Sequence, residues 1–302
     1  MQDISVVMLT FNEERHIRRA LENSFKFARE VFVVDCFSTD KTVQIARSMG
    51  AQVYQHKWVN YSRQMAWALQ NLPIKTEWVW RQDADEYLTD SLIKELDEVL
   101  PNGDKDVNGY TAPCLRKFMG REIKHGIVPL ILLRLFRFNK ARIENKLMDE
   151  HMEITEGRVG SLRNAFYDDS LMTLTEWTAK HNGYSTREAL DLLSTEYGLE
   201  RDNQACASAG THSAHVRAMK LKYTRLPLFW RAFAYFIYRY FLRLGFLDGK
   251  EGFLWHFLQG FWYRSLADAK VYEIKKRLGF DEDKIKNYVA GQISMMSAPK
   301  EE

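Results

Sequence analysis

Cysteine is scarce in this sequence: three in 302 residues, Cys36, Cys114 and Cys206, an odd number, far apart and without a C-x-x-C pair. Neither a disulfide framework nor a cysteine-based zinc site is expected, and a reducing cytoplasm fits. An excess of charge of one sign is lacking too. Against 43 Lys and Arg stand 40 Asp and Glu, a net charge of +3, so nucleic acid is not expected as a partner. The N-terminus has no basic segment followed by an apolar run, because Asp3 interrupts it and Asn12-Glu13-Glu14 ends the hydrophobic stretch. The chain is therefore expected to start in its fold, on the cytoplasmic side. No G-x-G-x-x-G follows the first strand-like run and no G-x-x-x-x-G-K-[ST] occurs, which removes the dinucleotide and P-loop ways of holding phosphate.

What is present is densest at Val79-Trp80-Arg81-Gln82-Asp83-Ala84-Asp85-Glu86, three carboxylates in four positions after an apolar pair. Residues two apart in a strand share a face. Asp83 and Asp85 are thus expected to point together from the carboxyl end of a sheet, where hard oxygen ligands suit Mg²⁺ or Mn²⁺ on a diphosphate. The same carboxylates could instead complement the dipole of a helix starting near Thr89-Asp90-Ser91.

Upstream, Ile4-Ser5-Val6-Val7-Met8-Leu9 reads as a buried strand leading through Thr10-Phe11-Asn12-Glu13 into a helix with Ile17, Ala20, Leu21 and Ser24 on one face. Val31-Phe32-Val33-Val34 reads as a second strand ended by Asp35, Ser38-Thr39-Asp40 caps a helix to Gly50, and Val53-Tyr54 is a third strand. Strands alternating with helices imply a parallel sheet, with ligands beyond the carboxyl ends of its strands. Thr10, Asn12, Glu13, Asp35, Asp40, Asp83 and Asp85 all fall at those ends, and Arg63, in the helix from Tyr61 to Leu69, could answer a diphosphate charge.

The segments Val6-Val7-Met8-Leu9-Thr10-Phe11-Asn12-Glu13, Val33-Val34-Asp35-Cys36-Phe37-Ser38-Thr39-Asp40-Lys41-Thr42 and Asp83-Ala84-Asp85-Glu86, in that order and spacing, resemble the nucleotide-sugar half of a family 2 glycosyltransferase with the GT-A fold. The resemblance implies that Thr10, Glu13 and Asp35 hold the uracil and ribose of a UDP-sugar donor, and that Asp83 and Asp85 carry the metal. The chain departs from the family at Cys36-Phe37 and Lys41, which would reshape the ribose pocket without removing it, and at Gln64, which follows Arg63 where many relatives have Asn and bears on the role of that helix.

Between Tyr110 and Arg137 strand-like segments alternate with basic ones, Arg116-Lys117 and Arg121, then Arg134 and Arg137, which could flank an anionic acceptor or be solvated strand faces. Met148-Asp149-Glu150-His151 follows. An inverting transfer needs a carboxylate to take the acceptor's proton. Asp149 is the expected base with Glu150 close behind, an assignment the family's acidic pair also implies. His151 could complete the metal shell, bind the diphosphate or be a satisfied core histidine, and His125 and His181 are weaker candidates.

From Leu226 to Leu244 the composition turns aromatic and aliphatic, with Pro227 suited to a helix's first turn and Gly245 to its end. Arg225, Arg231, Arg239 and Arg243 fall within roughly a third of the circumference, which leaves a broad apolar face. Those charges interrupt a span of about 20 apolar residues, so this helix and the block from Phe253 to Arg264 are expected to lie on a membrane or to pack on the protein or a second copy. Processive polysaccharide synthases carry several membrane spans and a Q-x-x-R-W motif; this chain has neither, Gln259 being followed by Gly260-Phe261-Trp262-Tyr263-Arg264, so the resemblance implies one sugar per acceptor.

The expected organisation is a GT-A catalytic domain over 1–205, with a nucleotide-sugar half to 100 and an acceptor half after it. An α-helical membrane-associating module follows over 206–290, with a tail over 291–302, the chain beyond Lys286 being expected to be poorly ordered. Similar C-terminal segments occur in bacterial transferases of exopolysaccharide, capsule and lipopolysaccharide. The likeness implies a hexose moved to a lipid-linked (polyprenyl diphosphate) saccharide at the cytoplasmic face of the plasma membrane. A nucleotidyltransferase and a non-enzymatic membrane adaptor are the alternatives.

Overall fold

The chain was analysed as a computed structural model, which describes residues 2–127, 130–144, 151–199, 223 and 226–297. It forms two compact units, one from Met1–Glu122 and Val128–Leu171, the other from Ile123–Ile127 and Met172–Ala298. The boundary expected at 205/206 lies outside the described residues.

The first unit is built on one sheet. β1 (Gln2–Thr10) pairs in parallel with β2 (Ala28–Asp35) and β4 (Trp78–Asp83), and β2 pairs in parallel with β3 (Gln52–Gln55). The helices α1 (Ile17–Ser24), α2 (Thr42–Ser48) and α3 (Tyr61–Asn71) make the connections. After β5 (Glu86–Leu88) and α4 (Asp90–Asn102) come β6 (Val107–Phe118), β7 (Arg121–Ile123) and β8 (Leu130–Arg137), with β8 running antiparallel between β4 and β6. β9 (Ala141–Ile143) and β10 (Met152–Ile154) form a separate antiparallel pair, and β11 (Arg158–Ser161) and β12 (Phe166–Asp169) both join β6 in parallel. The main path of the sheet is β3-β2-β1-β4-β8-β6-β12-β5.

The apolar runs read as buried strands because both faces of the sheet are covered. Ile4, Val6 and Met8 of β1 join Val31, Val33, Trp78 and Trp80 in one core with Ile17 and Leu21 of α1 and Leu92 of α4. The alternate residues Val7, Leu9, Phe32, Val34 and Val79 join Met65 and Ala68 of α3 in the other. The period-2 side-chain alternation of a strand thus divides a continuous hydrophobic run between two layers.

The expected helix after Thr89 is there: Thr89 caps α4, accepting from Leu92 N at 3.2 Å. Asp85, however, is not in a strand with Asp83. β4 ends at Asp83, and Ala84 and Asp85 form the turn into β5, so the two carboxylates are related by a turn and not by a shared strand face.

The second unit is helical. α5 (Leu174–Glu196) opens on a capping box of Thr173 and Glu176. Leu190 and Leu193 of α5 pack with Val271 and Ile274 of α8 (Tyr263–Arg277) and with Ile285 and Val289 of α9 (Glu282–Ser297). That contact keeps the chain helical to Ser297, past the point where the sequence predicts a tail. Residues 226–244 are not one helix either. α6 (Trp230–Ile237) passes into a π-helical stretch Tyr238–Leu242, and Leu244 turns left-handed (φ 59°) into a short 3₁₀ turn Gly245–Asp248. α7 (Gly249–Trp255) then runs through a second π-helical stretch, His256–Trp262, into α8. No described helix is long and apolar enough to cross a membrane.

Candidate active site

The parallel register brings the carboxyl ends of four strands to one edge. Thr10 stands beside Asp35, Asp35 beside Gln55, and Leu9 beside Asp83. Asp35 and Asp83 are therefore two strand spacings apart, about 10 Å along that edge.

At one end, Asp35 is fully buried and accepts from Thr10 Oγ1 (3.0 Å), Ser38 N (2.8 Å), Ser38 Oγ (2.5 Å) and Gln55 Nε2 (3.5 Å). Thr10 is buried with it. Asn12 holds a left-handed backbone (φ 56°) and ties the first strand's loop to the second's, its N–H donating to Ser38 Oγ at 2.8 Å and its Oδ1 accepting from Thr39 N at 2.9 Å. Glu13 N donates to Thr42 Oγ1 at 2.7 Å, while its carboxylate receives His16 Nδ1 at 2.6 Å. Leu171 N donates to His16 Nε2 at 2.8 Å, which fixes the tautomer with the proton on Nδ1. Asp40 accepts from Thr42 Oγ1, Thr42 N (2.9 Å) and Glu14 N (3.1 Å); against its slight burial, these hydrogen bonds, the hydroxyl's first, hold its carboxyl below the usual range. The two loops thus form one cross-braced rim.

At the other end, Asp83 is ringed by groups that favour its charge. Its Oδ1 accepts from Tyr61 Oη at 2.9 Å and its Oδ2 from Arg134 Nη2 at 3.0 Å, while Arg81 Nε donates to Tyr61 Oη at 2.7 Å. Burial opposes ionisation, but the Arg134 and Arg81 guanidiniums and the two hydrogen bonds hold the Asp83 carboxyl down to about 2. Glu86 is moved the other way. Buried and near Asp83 and Asp85, it is raised well above the ordinary range even though Arg134 also binds it.

Sequence reasoning missed Tyr61, Arg81 and Glu86 as parts of one constellation, and the only signal was Arg81 two places before Asp83 on one strand face. Three of the basic residues of the middle segment are tied to carboxylates: Arg134 serves Asp83 and Glu86, Arg116 pairs with Asp168 at 2.8 Å, and Arg137 pairs with Glu77, while Lys117 donates to Tyr87 Oη at 2.8 Å and Arg121 is exposed.

Arg63 is exposed near the start of α3. Asp149 and Glu150 lie outside the described residues. His151 is exposed at the head of β10, its carbonyl accepting from Glu144 N at 2.9 Å. It is not gathered with Asp83 and Asp85, since no group of three His, Cys, Asp or Glu side chains able to hold a metal exists among the described residues. In the second unit, His181 stacks on Trp177 at 3.5 Å between centroids, and His125 Nδ1 meets Asp248 Oδ1 at 2.8 Å.

Residues 5–161, which span all the candidate residues at this edge, match the model of glycosyl transferase family 2. The chain belongs to that family. The mixed, mostly parallel sheet flanked by helices is the GT-A arrangement expected of the transferase, followed by helices at the C-terminal end. It is 26% identical to an uncharacterized glycosyltransferase of Rickettsia typhi over 99% of this chain and 98% of the relative. An uncharacterized glycosyltransferase of Rickettsia bellii is 28% identical over 90% of this chain and 86% of the relative.

Among solved structures, glucosyl-3-phosphoglycerate synthase from Mycobacterium tuberculosis, in complex with Mn²⁺, UDP and glucosyl-3-phosphoglycerate, aligns at 21% identity and a TM-score of 0.31, over 38% of this chain and 44% of that one. Mannosyl-3-phosphoglycerate synthase from Rubrobacter xylanophilus aligns at 21% identity and a TM-score of 0.32, over 37% and 40%. The alignment spans less than half the length of either structure.

Proposed function

We propose that this transferase moves a single hexose, with inversion, from a UDP-sugar to a lipid-linked saccharide at the cytoplasmic face of the plasma membrane, in bacterial surface polysaccharide synthesis. The observation that carries the donor half of this reading is the order along the sheet edge: the Thr10–Asp35 rim at one end and the ionised Asp83 with Asp85 about 10 Å away. The rim would take the base and ribose. The acidic turn would take the diphosphate with a cation between like charges.

The donor set fits Mg²⁺ or Mn²⁺. Asp83 stays ionised and Asp85 is partly exposed in the adjoining turn, and a magnesium site usually has one or two carboxylates completed by substrate phosphate and water. When bound, the cation would offset the negative charge that develops on the departing diphosphate. Tyr61, Arg81 and Arg134 fix the Asp83 carboxylate for that purpose, and Arg134 offsets part of its charge. Asp149 or Glu150 would take the acceptor proton. Asp149 and Glu150 fall between β9 and β10, whose ends are joined by the Glu144–His151 backbone hydrogen bond.

Calorimetric titration of UDP with Mn²⁺, repeated with EDTA and on Asp85→Ala, tests the donor side. Binding that needs metal and drops at least tenfold in the variant is expected. A folded wild type that ignores UDP with and without metal would remove the UDP-sugar donor.

A further inference from the structure

In the second unit, polarity is inverted along α6 and the turns after it. Arg231 and Arg239 are 3% and 4% exposed, while Trp230 and Leu242 are 73% and 71% exposed. Arg231 is bound to Asp268, with Nε at 2.8 Å from Oδ1, and Arg239 donates from Nε to Gly126 O at 2.9 Å and from Nη1 to Gln259 Oε1. The sequence expectation placed these arginines on a polar face; they are instead turned inward, and the aromatic face is turned out. The buried guanidiniums are offset by those partners, but in water a contiguous face of exposed large apolar side chains is unfavourable. The arrangement is favourable where the medium beyond that face is itself apolar.

The inversion culminates in the turn Phe241–Leu247, where Phe241, Leu242, Leu244, Phe246 and Leu247 are all exposed. This turn is braced from behind. Gly126 N donates to Arg243 O at 2.9 Å, and the buried Asp248 carboxylate accepts from Lys124 N (2.9 Å), His125 N (2.8 Å) and His125 Nδ1 (2.8 Å). The charged residues in and beside it that reach solvent most freely are Arg243 and Lys250, both basic.

We infer that the Phe241–Leu247 turn is a wedge seated in the headgroup boundary of an anionic phospholipid bilayer, with its apolar side chains below the phosphates and Arg243 and Lys250 among them. This rests on the membrane-side reading above and assigns it to particular residues. Charge complementarity favours lipid over a second copy. A two-fold pairing through the same patch would bring Arg243 and Lys250 toward their own counterparts, whereas anionic headgroups neutralise them. Aromatic and aliphatic side chains flanked by cations are the composition that binds this boundary.

The full-length chain should float with vesicles of phosphatidylglycerol mixed with phosphatidylcholine. Combining Leu242→Glu with Leu247→Glu should lower partition roughly tenfold or more. Arg243→Glu should lower it roughly fivefold or more on anionic vesicles and little on phosphatidylcholine alone. Each variant is checked for fold by circular dichroism; should the double variant unfold, Arg243→Glu and brominated-lipid quenching of wild-type tryptophan, expected to be strong, still decide. A wild type that stays unbound and unquenched, or variants that float as well as wild type, would overturn the wedge. So would a wild-type dimer that Leu242→Glu splits while vesicles go unbound. UDP binding on the same preparations separates the two readings: retained without flotation it removes only the wedge, and lost with flotation intact it removes only the donor.

Discussion

Asp83 keeps its charge because Arg134 and Arg81 stand beside it, and Arg134 answers Glu86 as well. Removing one partner of a buried charge costs about 3 kcal/mol or more; here that charge is Glu86, 4% exposed, whereas Asp83, 33% exposed, keeps access to water. Arg134→Met should therefore lower unfolding free energy by about 3 kcal/mol in urea titrations at neutral pH. His256 is a second buried titratable group. Burial, and then the Arg239 charge, lower it to about 4, so the folded state binds fewer protons than the unfolded one near pH 5. The stability it contributes is complete above about pH 6.5 and is lost as pH falls toward about 4. His256→Gln should flatten that part of the stability–pH curve, measured by denaturation from pH 8 to 4. Burial of Cys36, with Asp35 beside it, pushes its thiol up to about 12, so it should react slowly with disulfide reagents in the folded chain.

Among the elements, the helices of the second unit depend on pairings that link distant segments. Asp268 of α8 accepts from Arg231 of α6 and from Phe229 N at 2.8 Å. Asp268→Ala would leave a guanidinium inside and a helix-start N–H without its acceptor. A loss of about 3 kcal/mol or more, seen as an earlier thermal transition, is expected. Gly245 is required for a different reason, since an added Cβ there would collide with the His256 ring. The buried apolar run of β1 and the Ile17–Leu21 face of α1 were legible in the sequence because each signal is local. The inward turn of Arg231 and Arg239 was not, since their partners Asp268 and Gly126 lie 37 and 113 residues away.

At the scale of the whole molecule, the described residues hold two core layers on the sheet of the first unit and one among α5, α8 and α9 of the second. Unfolding is therefore expected in more than one step. UDP with Mn²⁺ at roughly a hundred times Kd should raise the transition of the sheet unit by about 2.7 kcal/mol and leave the helical one in place. Differential scanning calorimetry with and without ligand checks this, and a single transition that moves as a whole would contradict it.

By itself the sequence determined the order of strands and helices up to Asp83, and it put Thr10, Asp35 and Asp83 at strand ends. Those features follow from side-chain periods and caps that act within a few residues. Only the tertiary structure decided what surrounds each charge. The insertion of β8 beside β4 brings Arg134 to Asp83, a turn separates Asp85 from the strand, and the packing of α6 on α8 turns arginines inward and aromatics outward. A charge's partner is set by which distant segments pack together, and no local period records that.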